Sequence, residues 1–257
     1  MKMTGRTVLI TGGTSGIGLE LAKQLIARGN TVVVTGRYPD RLQAAEKSVP
    51  GLHAVASDVS DSASIESLYE TVSGRFPSLD TLVNNAGAMR NIKLNPSWRL
   101  NDLTAEIDGN LKGPMWMVQT FLPLLRRQTR GLIVNVSSGL AFIPFPAAPV
   151  YSASKAAVHA YTQCLRAQLE GTSMSIVELA PPGTETPLFR REFAEEMKSE
   201  KGMDVAVLVK RAIAGIEAGK LEIRPGVSNV LKIVSRVAPH FMFRQMVKLG
   251  RTESSGL

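Results

Sequence analysis

The chain has 257 residues, of which 44% are hydrophobic and 20% are charged. These proportions are typical of a globular protein, and they exclude a disordered, collagen-like or coiled-coil chain. At this length a single α/β domain with one core is the expected organisation. The one cysteine, Cys164, excludes an internal disulfide, and we expect it to be a small buried residue.

The N-terminus runs directly into a strand-like segment at Thr7. It shows neither the long apolar region nor the small-residue cleavage site of a secretory signal peptide. The sequence also contains no run of about 18 apolar residues, the length that a membrane-spanning helix needs. We therefore expect a cytoplasmic protein.

The net charge of +8 is concentrated near the C-terminus. Residues 1–200 contain 20 Lys and Arg against 18 Asp and Glu, whereas residues 201–257 contain 10 against 4. The basic residues of the second region alternate with apolar ones around 231–237 and 241–249, which predicts an amphipathic helix and no nucleic-acid partner. Such a helix usually packs on its own domain or on a partner subunit, and contact with a membrane surface is the alternative.

Short β-branched runs alternate with segments of helical period along most of the chain. In the first such segment Ile17, Leu21 and Leu25 recur at helical spacing, and Gly29 lies where a helix would end. Most of the runs are apolar on both faces, as in a parallel sheet that helices cover on each side. The pattern predicts an α/β fold with a doubly wound, seven-stranded parallel sheet and helices on both faces. The predicted strands are 7–10, 31–34, 53–56, 81–83, 132–136, 175–179 and 221–223.

No internal repeat or linker marks a second domain, so residues 1–257 are predicted to form one domain. The segment at about 187–203 is charged, with scattered large apolar residues, and we interpret it as a flap over the substrate. A basic amphipathic extension is predicted at about 227–257.

A glycine-rich turn joins the first predicted strand to the first predicted helix. Gly12 can make the tight turn, Gly16 leaves room for a pyrophosphate, and Gly18 lets the helix pack closely on the strand. The helix N-terminus adds free N–H groups and positive potential. A glycine turn without a ligand is the alternative, but the strand-turn-helix position favours dinucleotide binding. The predicted cofactor-binding residues of this turn are Gly12, Thr14, Ser15, Gly16, Ile17 and Gly18.

The end of the second predicted strand bears on which dinucleotide is bound. NAD sites use an acidic residue there to hold the ribose 2′-hydroxyl. This chain has Arg37 at that place and no acidic residue before Asp40. An arginine can bind a 2′-phosphate through charge-assisted hydrogen bonds, although it could also be an exposed residue at the start of the next helix. We therefore favour NADP(H), with NAD(H) as the alternative.

Tyr151 and Lys155 lie four residues apart at the start of a predicted helix that runs to Leu169. This spacing places both side chains on one helical face. The ammonium group can then favour the tyrosinate and lower the phenol pKa from about 10 toward the neutral range. Two ordinary surface residues would show the same spacing, so the pair alone is not informative.

Six motifs in order make the sequence resemble the short-chain dehydrogenase/reductase family over residues 5–226. They are Thr11 to Gly18, Asp58-Val59, Asn84-Asn85-Ala86-Gly87, Asn110 within Asp108-Gly109-Asn110-Leu111, Ser137-Ser138, and Tyr151 to Lys155. The resemblance implies a single-domain Rossmann fold and an NADP(H)-dependent oxidoreductase acting on CH–OH groups. Because the family's serine precedes its tyrosine by about 13 positions, Ser138 is assigned in preference to Ser137.

The resemblance also implies a role for each motif residue. Tyr151 would exchange a proton with the substrate oxygen, Ser138 would hydrogen-bond that oxygen, and Lys155 would hold the nicotinamide ribose. Asn110 would seat a water that connects Lys155 to solvent. Asp58 and Val59 are expected beside the adenine, with Asn85, Ala86 and Gly87 beside its ribose, whereas Asn84 is expected to hold adjacent strands together.

One segment departs from the family pattern. Pro182 stands where the family usually has a glycine after the sixth strand, which stiffens the loop and removes an N–H group. A contact from Thr186 to the nicotinamide carboxamide is still expected. The sequence Glu178-Leu179-Ala180-Pro181-Pro182 resembles a poorly characterised bacterial branch of the family, the DltE-like oxidoreductases.

The predicted partner is a small carbonyl or alcohol substrate. The residues expected to line the substrate pocket are Leu140, Phe142, Ile143, Phe145, Leu188, Phe189, Met89 and Arg90. Because most of them are apolar, we expect a medium-sized lipophilic substrate. Several of these side chains could instead fill the core.

A homodimer or homotetramer is expected through the segments 103–127 and 152–169. No metal site is predicted, because the histidines lack ligand spacing. The alternative function is that of a non-catalytic regulatory or membrane-surface protein of the same fold.

Overall fold

The strands form one parallel sheet in the order β3-β2-β1-β4-β5-β6-β7. The computed structural model describes residues 1–93, 98–191, 193–194 and 201–250. All seven predicted strands are confirmed, with ends that move by at most two residues. They are β1 Thr7–Ile10, β2 Thr31–Gly36, β3 Leu52–Ala56, β4 Thr81–Asn84, β5 Gly131–Val136, β6 Met174–Leu179 and β7 Glu222–Ile223.

The alternation of side chains along the strands divides the main core into two layers. Val8 and Ile10 of β1 face one layer, which α1 (Gly16–Ile26), α2 (Pro39–Ser48) and α8 (Val205–Glu217) cover. Leu9 faces the other layer, covered by α3 (Ser62–Arg75), α5 (Gly113–Arg126) and α6 (Pro149–Gln168). The predicted doubly wound fold is therefore confirmed. The strand order reverses between β1 and β4, which opens a crevice at the carboxyl ends of these strands.

The segment 103–127, which is expected to contact a partner subunit, is not one continuous helix. It consists of α4 (Leu100–Ile107), a single π-helical turn (Asp108–Lys112) and α5. A 3₁₀ turn at Gly139–Ala141 follows β5, and the short helix α7 (Pro187–Arg190) begins the predicted flap. Residues 192 and 195–200 of that flap lie outside the described residues.

The basic extension folds into two helices, α9 (Val227–Val237) and α10 (Pro239–Leu249), which pack against each other. Pro239 separates them because it lacks an N–H group and disfavours helical backbone at the preceding Ala238. Their inner side joins a third apolar cluster around Phe145, Phe193 and Met246. Residues 251–257 of the predicted extension lie outside the described residues.

The prediction that Cys164 is buried was wrong, since this residue is exposed on α6. The buried stripe of α6 runs through Tyr151, Lys155, Val158, Thr162 and Leu165, and Cys164 lies outside it. Within the described ranges, no helix is both long and apolar enough to cross a membrane.

Candidate active site

A cavity of about 600 Å³ opens at the carboxyl ends of the strands. It brings together every predicted catalytic and cofactor-binding residue except Gly18. The residues that line it are Gly12, Thr14, Ser15, Gly16, Ile17, Arg37, Asp58, Val59, Asn85, Ala86, Gly87, Asn110, Ser138, Tyr151, Lys155 and Thr186. These residues come from the segments after six different strands, and the parallel sheet brings those segments to one edge.

The glycine turn is closely packed behind the cavity. Gly12 has a φ of +65°, a conformation that favours glycine, and a Cβ on Gly18 would lie 2.5 Å from the carbonyl oxygen of Gly12. Gly18 therefore acts by close packing rather than by lining the cavity. Gly13 was not singled out from the sequence, yet its Cβ would lie 2.4 Å from Cβ of Val34. Helix α1 begins at Gly16 without a side-chain cap, which leaves backbone donors directed toward the cavity.

Thr11 and Asn85 fix the shape of this turn. Thr11 Oγ1 accepts hydrogen bonds from the backbone N–H groups of Asn85 and Ala86, each at 3.0 Å. Asn85 in turn donates its amide to the carbonyl oxygens of Thr11 and Gly12, at 2.9 and 3.0 Å. The sequence analysis names Thr11 as the first residue of the glycine motif but gives it no role. The Asn85 amide thus supports the glycine turn.

Asn84 links neighbouring strands, as expected. Its amide donates to Asn135 Oδ1 on β5 at 2.9 Å, and Asn135 donates to Thr162 Oγ1 on α6 at 3.0 Å. Both asparagines are buried. This chain of hydrogen bonds connects the sheet to the helix that carries Tyr151.

A basic cluster lies at the end of the cavity near β2. The Arg37 side chain is 56% exposed, and its Nη1 lies 4.0 Å from Asp58 Oδ2. Arg41 lies four residues later on α2 and also lines the cavity. Both guanidinium groups stack near the Tyr38 ring, at 5.4 and 4.9 Å from its centroid. The sequence analysis does not name Arg41, although its position four residues after Arg37 places it on the same side of a helix.

Tyr151 and Ser138 lie as a neighbouring pair inside the cavity. Burial raises the pKa of Tyr151 to about 12, the Ser138 hydrogen bond opposes this shift, and the negative charge of Glu106 adds to it. The structure does not show the lowered phenol pKa that the sequence predicted, because desolvation dominates. The phenol is therefore protonated at neutral pH.

Lys155 is buried beside this pair. Its Nζ donates to the carbonyl oxygen of Val136 at 2.9 Å and lies 5.7 Å from the centroid of the Tyr151 ring. Burial lowers the pKa of Lys155 to about 8. A Cβ on Gly87 would lie 3.5 Å from Nζ, an ordinary contact distance, so the loop after β4 lies beside the lysine.

Asn110 lies in the π-helical turn and is fully buried. Its Oδ1 accepts the N–H of Ala88 at 2.8 Å, while its amide donates to the Ala88 carbonyl oxygen at 2.8 Å and to Ser154 Oγ at 3.2 Å. The side chain therefore joins the loop after β4 to α6. The water that Asn110 is expected to seat stays a prediction.

The opposite end of the cavity is mainly apolar. Of the residues expected there, Met89, Leu140, Leu188 and Phe189 line it, together with Val227, Leu231, Met246 and Leu249 of the extension. Phe145 and Ile143 do not line the cavity, because both are buried in the third apolar cluster. Phe142 and Arg90 also lie outside the lining: the Phe142 ring contacts His159, and Arg90 Nη2 donates to two backbone carbonyl oxygens of α4.

Glu106 is the acidic residue of this region that the sequence reading missed. It lies on α4, is buried, lines the cavity, and accepts the backbone N–H of Arg90 at 2.6 Å. Nothing in its local sequence distinguishes it from an exposed helical glutamate. Only the packing of α4 brings it close enough to affect Tyr151.

The loop after β6, which contains the two prolines, is hydrogen-bonded to the turn after β5. The Pro181 carbonyl oxygen accepts the N–H of Gly139 at 2.8 Å, and both prolines line the cavity. Thr186 caps α7, and a Cβ on Gly16 would lie 3.2 Å from its Cγ2. Thr186 is thus adjacent to the glycine turn, and its carboxamide contact stays a prediction.

Behind β6, the ligand atoms of His159, Glu178 and Glu222 lie within 4.8 Å of one another. Protein groups satisfy these side chains. Glu178 accepts from Ser137 Oγ at 2.5 Å and pairs with His159 Nδ1 at 2.7 Å, whereas Lys232 Nζ donates to Glu222 at 2.6 Å. The cluster therefore acts as a link between β6, β7, α6 and α9.

A family model described as short chain dehydrogenase matches residues 6–197. The chain is 38% identical over 247 residues to an uncharacterized oxidoreductase, DltE, of Bacillus subtilis, covering 96% of this chain and 98% of the relative. It is 30% identical over 228 residues to an uncharacterized oxidoreductase of Staphylococcus epidermidis, covering 87% and 99%.

Solved structures show the same fold. A short chain dehydrogenase from Burkholderia cenocepacia in complex with NADP superimposes with a TM-score of 0.83 at 23% identity, covering 96% of this chain and 99% of that chain. A short chain dehydrogenase/reductase from Burkholderia phymatum in complex with NAD gives 0.81 at 20% identity, covering 100% and 99%.

Proposed function

Because the chain belongs to the short-chain dehydrogenase family and is an oxidoreductase of it, we propose that it interconverts a carbonyl and a secondary alcohol with NADP(H). The observation that carries this proposal is the meeting of Tyr151, Ser138 and Lys155 in the same cavity as the glycine turn. A regulatory protein that only binds a dinucleotide would not need a buried phenol placed in this way.

The residues of the cavity fit a phosphorylated dinucleotide. The uncapped N-terminus of α1 offers backbone donors for a pyrophosphate, and Arg37 with Arg41 offers two cations for a 2′-phosphate. The two related Burkholderia structures hold NADP and NAD respectively, so the preference for NADP(H) depends on these arginines. When bound, the cofactor supplies or accepts a hydride.

The residues of the chain then handle the proton and the orientation of the substrate. Tyr151 is protonated at neutral pH, so it donates its proton to a carbonyl oxygen during reduction and takes it back during oxidation. Ser138 holds the same oxygen through its hydroxyl group. Lys155 provides a positive charge beside the phenol when it is protonated, below its pKa of about 8.

The substrate we propose is a medium-sized lipophilic ketone or secondary alcohol. Apolar side chains of α7, α9 and α10 line the end of the cavity where Leu140 and Met89 lie. Pockets of this kind bind apolar ligands and orient them with a few polar groups. Free sugars and small hydroxy acids would leave this lining uncovered.

The test is reduction of a panel of lipophilic ketones and aldehydes by the purified protein with NADPH and with NADH. Tyr151→Phe should lower kcat by at least about 100-fold, the range of a lost general acid. Tyr161→Phe, on the same helix but remote from the cavity lining, is the matched control and should keep the wild-type kcat. Turnover that survives in Tyr151→Phe would overturn the proposed mechanism.

A further inference from the structure

The two C-terminal helices expose several large apolar side chains. We call these residues, Val227, Val230, Ile233, Val237, Phe241 and Phe243, the outer face. Val237 is 81% exposed and Phe241 60%. Twelve large hydrophobic residues are exposed in the described part of the chain, and half of them lie on this face. Such a concentration marks a binding surface rather than random exposure.

The same helices carry only positive charge. Residues 227–250 contain Lys232, Arg236, Arg244 and Lys248 and neither Asp nor Glu. Lys232 pairs with Glu222 of β7. Among the described residues, the other three cations form no ion pair, so their charges are available to a partner.

The outer face is continuous with the mouth of the cavity. On the inner side of the helices, Leu231, Met246 and Leu249 line the cavity. At its edge, Leu188 of α7 and Val227 of α9 line the cavity and are also exposed. A molecule can therefore pass from the outer face into the cavity over apolar side chains.

We infer that the outer face docks on an anionic lipid surface, with α9 and α10 lying in the plane of the interface. Apolar side chains would enter the acyl boundary while Arg236, Arg244 and Lys248 contact anionic headgroups. A second copy of the chain is a poor occupant, because a two-fold contact would bring two wholly cationic surfaces together. This inference goes beyond the proposed activity and does not depend on it.

The lipid surface is favoured over an acidic protein by the character of the face. Its apolar side chains are spread over two helices and continue into the cavity mouth. The fluid acyl chains of a lipid surface can cover apolar side chains that are spread out in this way. Anchoring of this kind is reversible and depends on both apolar insertion and charge. Salt should therefore weaken it, since exposed charges are screened over about 10 Å at about 0.1 M ionic strength.

The test is co-sedimentation of the full chain with extruded vesicles of phosphatidylglycerol and phosphatidylcholine, or of phosphatidylcholine alone. We expect binding to the anionic vesicles only. The triple variant Arg236→Gln, Arg244→Gln, Lys248→Gln should lower the partition coefficient by about 150-fold, at about 1 kcal/mol for each cation. Ile233→Ser with Val237→Ser should lower it by about tenfold or more through lost apolar insertion.

Helix α8 supplies matched controls away from the outer face. Val207→Ser removes an exposed apolar side chain there, and Lys210→Gln with Arg211→Gln removes two exposed cations. These variants should bind vesicles as the wild type does. Thermal unfolding midpoints and dinucleotide binding, measured on every variant, separate loss of docking from loss of fold.

Three results would overturn the inference. The first is failure of the wild type to sediment with anionic vesicles at low salt. The second is equal binding to both kinds of vesicle, or equal loss in the α8 controls. The third is an outer-face variant that binds vesicles as the wild type does but has lost another interaction. A lower oligomeric mass would assign the face to a second copy of the chain, and loss of binding to polyglutamate would assign it to an acidic protein.

Discussion

Asn110 and Ala88 are joined by two hydrogen bonds of 2.8 Å, one in each direction. The pair holds the π-helical turn against the loop that follows β4. That loop also packs on Lys155 through Gly87. The position of the lysine therefore depends on a side chain that lies more than 40 residues away in the sequence.

Replacing Asn110 by Ala should destabilise the protein. The N–H and the carbonyl group of Ala88 would both lose their buried partner, so we expect the free energy of unfolding to fall by about 2–4 kcal/mol. Urea unfolding of Asn110→Ala measures this, with Asn101→Ala on the exposed side of α4 as the control. An unchanged unfolding free energy would show that the two hydrogen bonds contribute nothing.

Lys155→Met should make the protein more stable while abolishing turnover. Folding lowers the pKa of Lys155 from 10.5 to about 8, so the protonated lysine is disfavoured in the folded state at neutral pH. At 1.36 kcal/mol for each pKa unit, and after loss of the Val136 hydrogen bond, the gain at pH 7 should be about 1–3 kcal/mol. Urea unfolding measures it, with the exposed Lys47→Met as the control.

The pH dependence of this gain follows from proton linkage. Between about pH 8 and 10.5 the unfolded state keeps a proton that the folded wild type has released, so the stability of the wild type rises with pH. The difference between Lys155→Met and the wild type should therefore shrink across this window. A gain that stays constant from pH 7 to 10 would show that burial of charge is not its cause.

Glu106→Gln should lower the pKa of Tyr151. The negative charge of Glu106 raises this pKa, and the amide removes that charge while keeping the shape of the side chain. Alcohol oxidation requires the deprotonated phenol, so the limb of the kcat profile along which activity rises with pH should move to lower pH. The exposed Glu66→Gln on α3 serves as the control, and superimposable profiles for Glu106→Gln and wild type would contradict the prediction.

Arg37→Ala should weaken NADPH binding by about 1.5–3 kcal/mol, which is the range for a hydrogen bond to a charged group. NADH binding should stay nearly unchanged. The contact to the 2′-phosphate is the only one that differs between the two cofactors. Isothermal titration of both dinucleotides measures the effect, with the exposed Arg126→Ala as the control. Equal losses for NADPH and NADH would assign Arg37 to a general structural role.

A homodimer or homotetramer is predicted through α5 and α6. Met117, Val118 and Phe121 of α5 are buried in the chain's own core, which leaves Met115, Trp116 and Leu122 half-buried for a partner. Light scattering at micromolar concentration should give a mass of two or four chains, and Trp116→Glu should lower it because the interface core disfavours charge. A monomeric wild type would contradict this prediction.

The sequence by itself determined the sheet and the position of the glycine turn. Local hydrophobic periodicity encodes the strands and the helices. The glycine turn is encoded by residue type, because its backbone conformation favours glycine over other residues. Arg37 and Asp58 could be placed together for the same reason, since the carboxyl ends of parallel strands meet at one edge. The pairing of Tyr151 with Lys155 required only the helical repeat.

Only the tertiary structure decided which helix faces meet the site. The approach of Glu106 to Tyr151 depends on how α4 packs, and the use of Leu231 and Met246 as cavity lining depends on the return of the C-terminal helices over the sheet. Phe145 became core rather than lining because α10 and Phe193 cover it. These contacts join residues far apart in sequence, and their free energy comes from burial that no local pattern records.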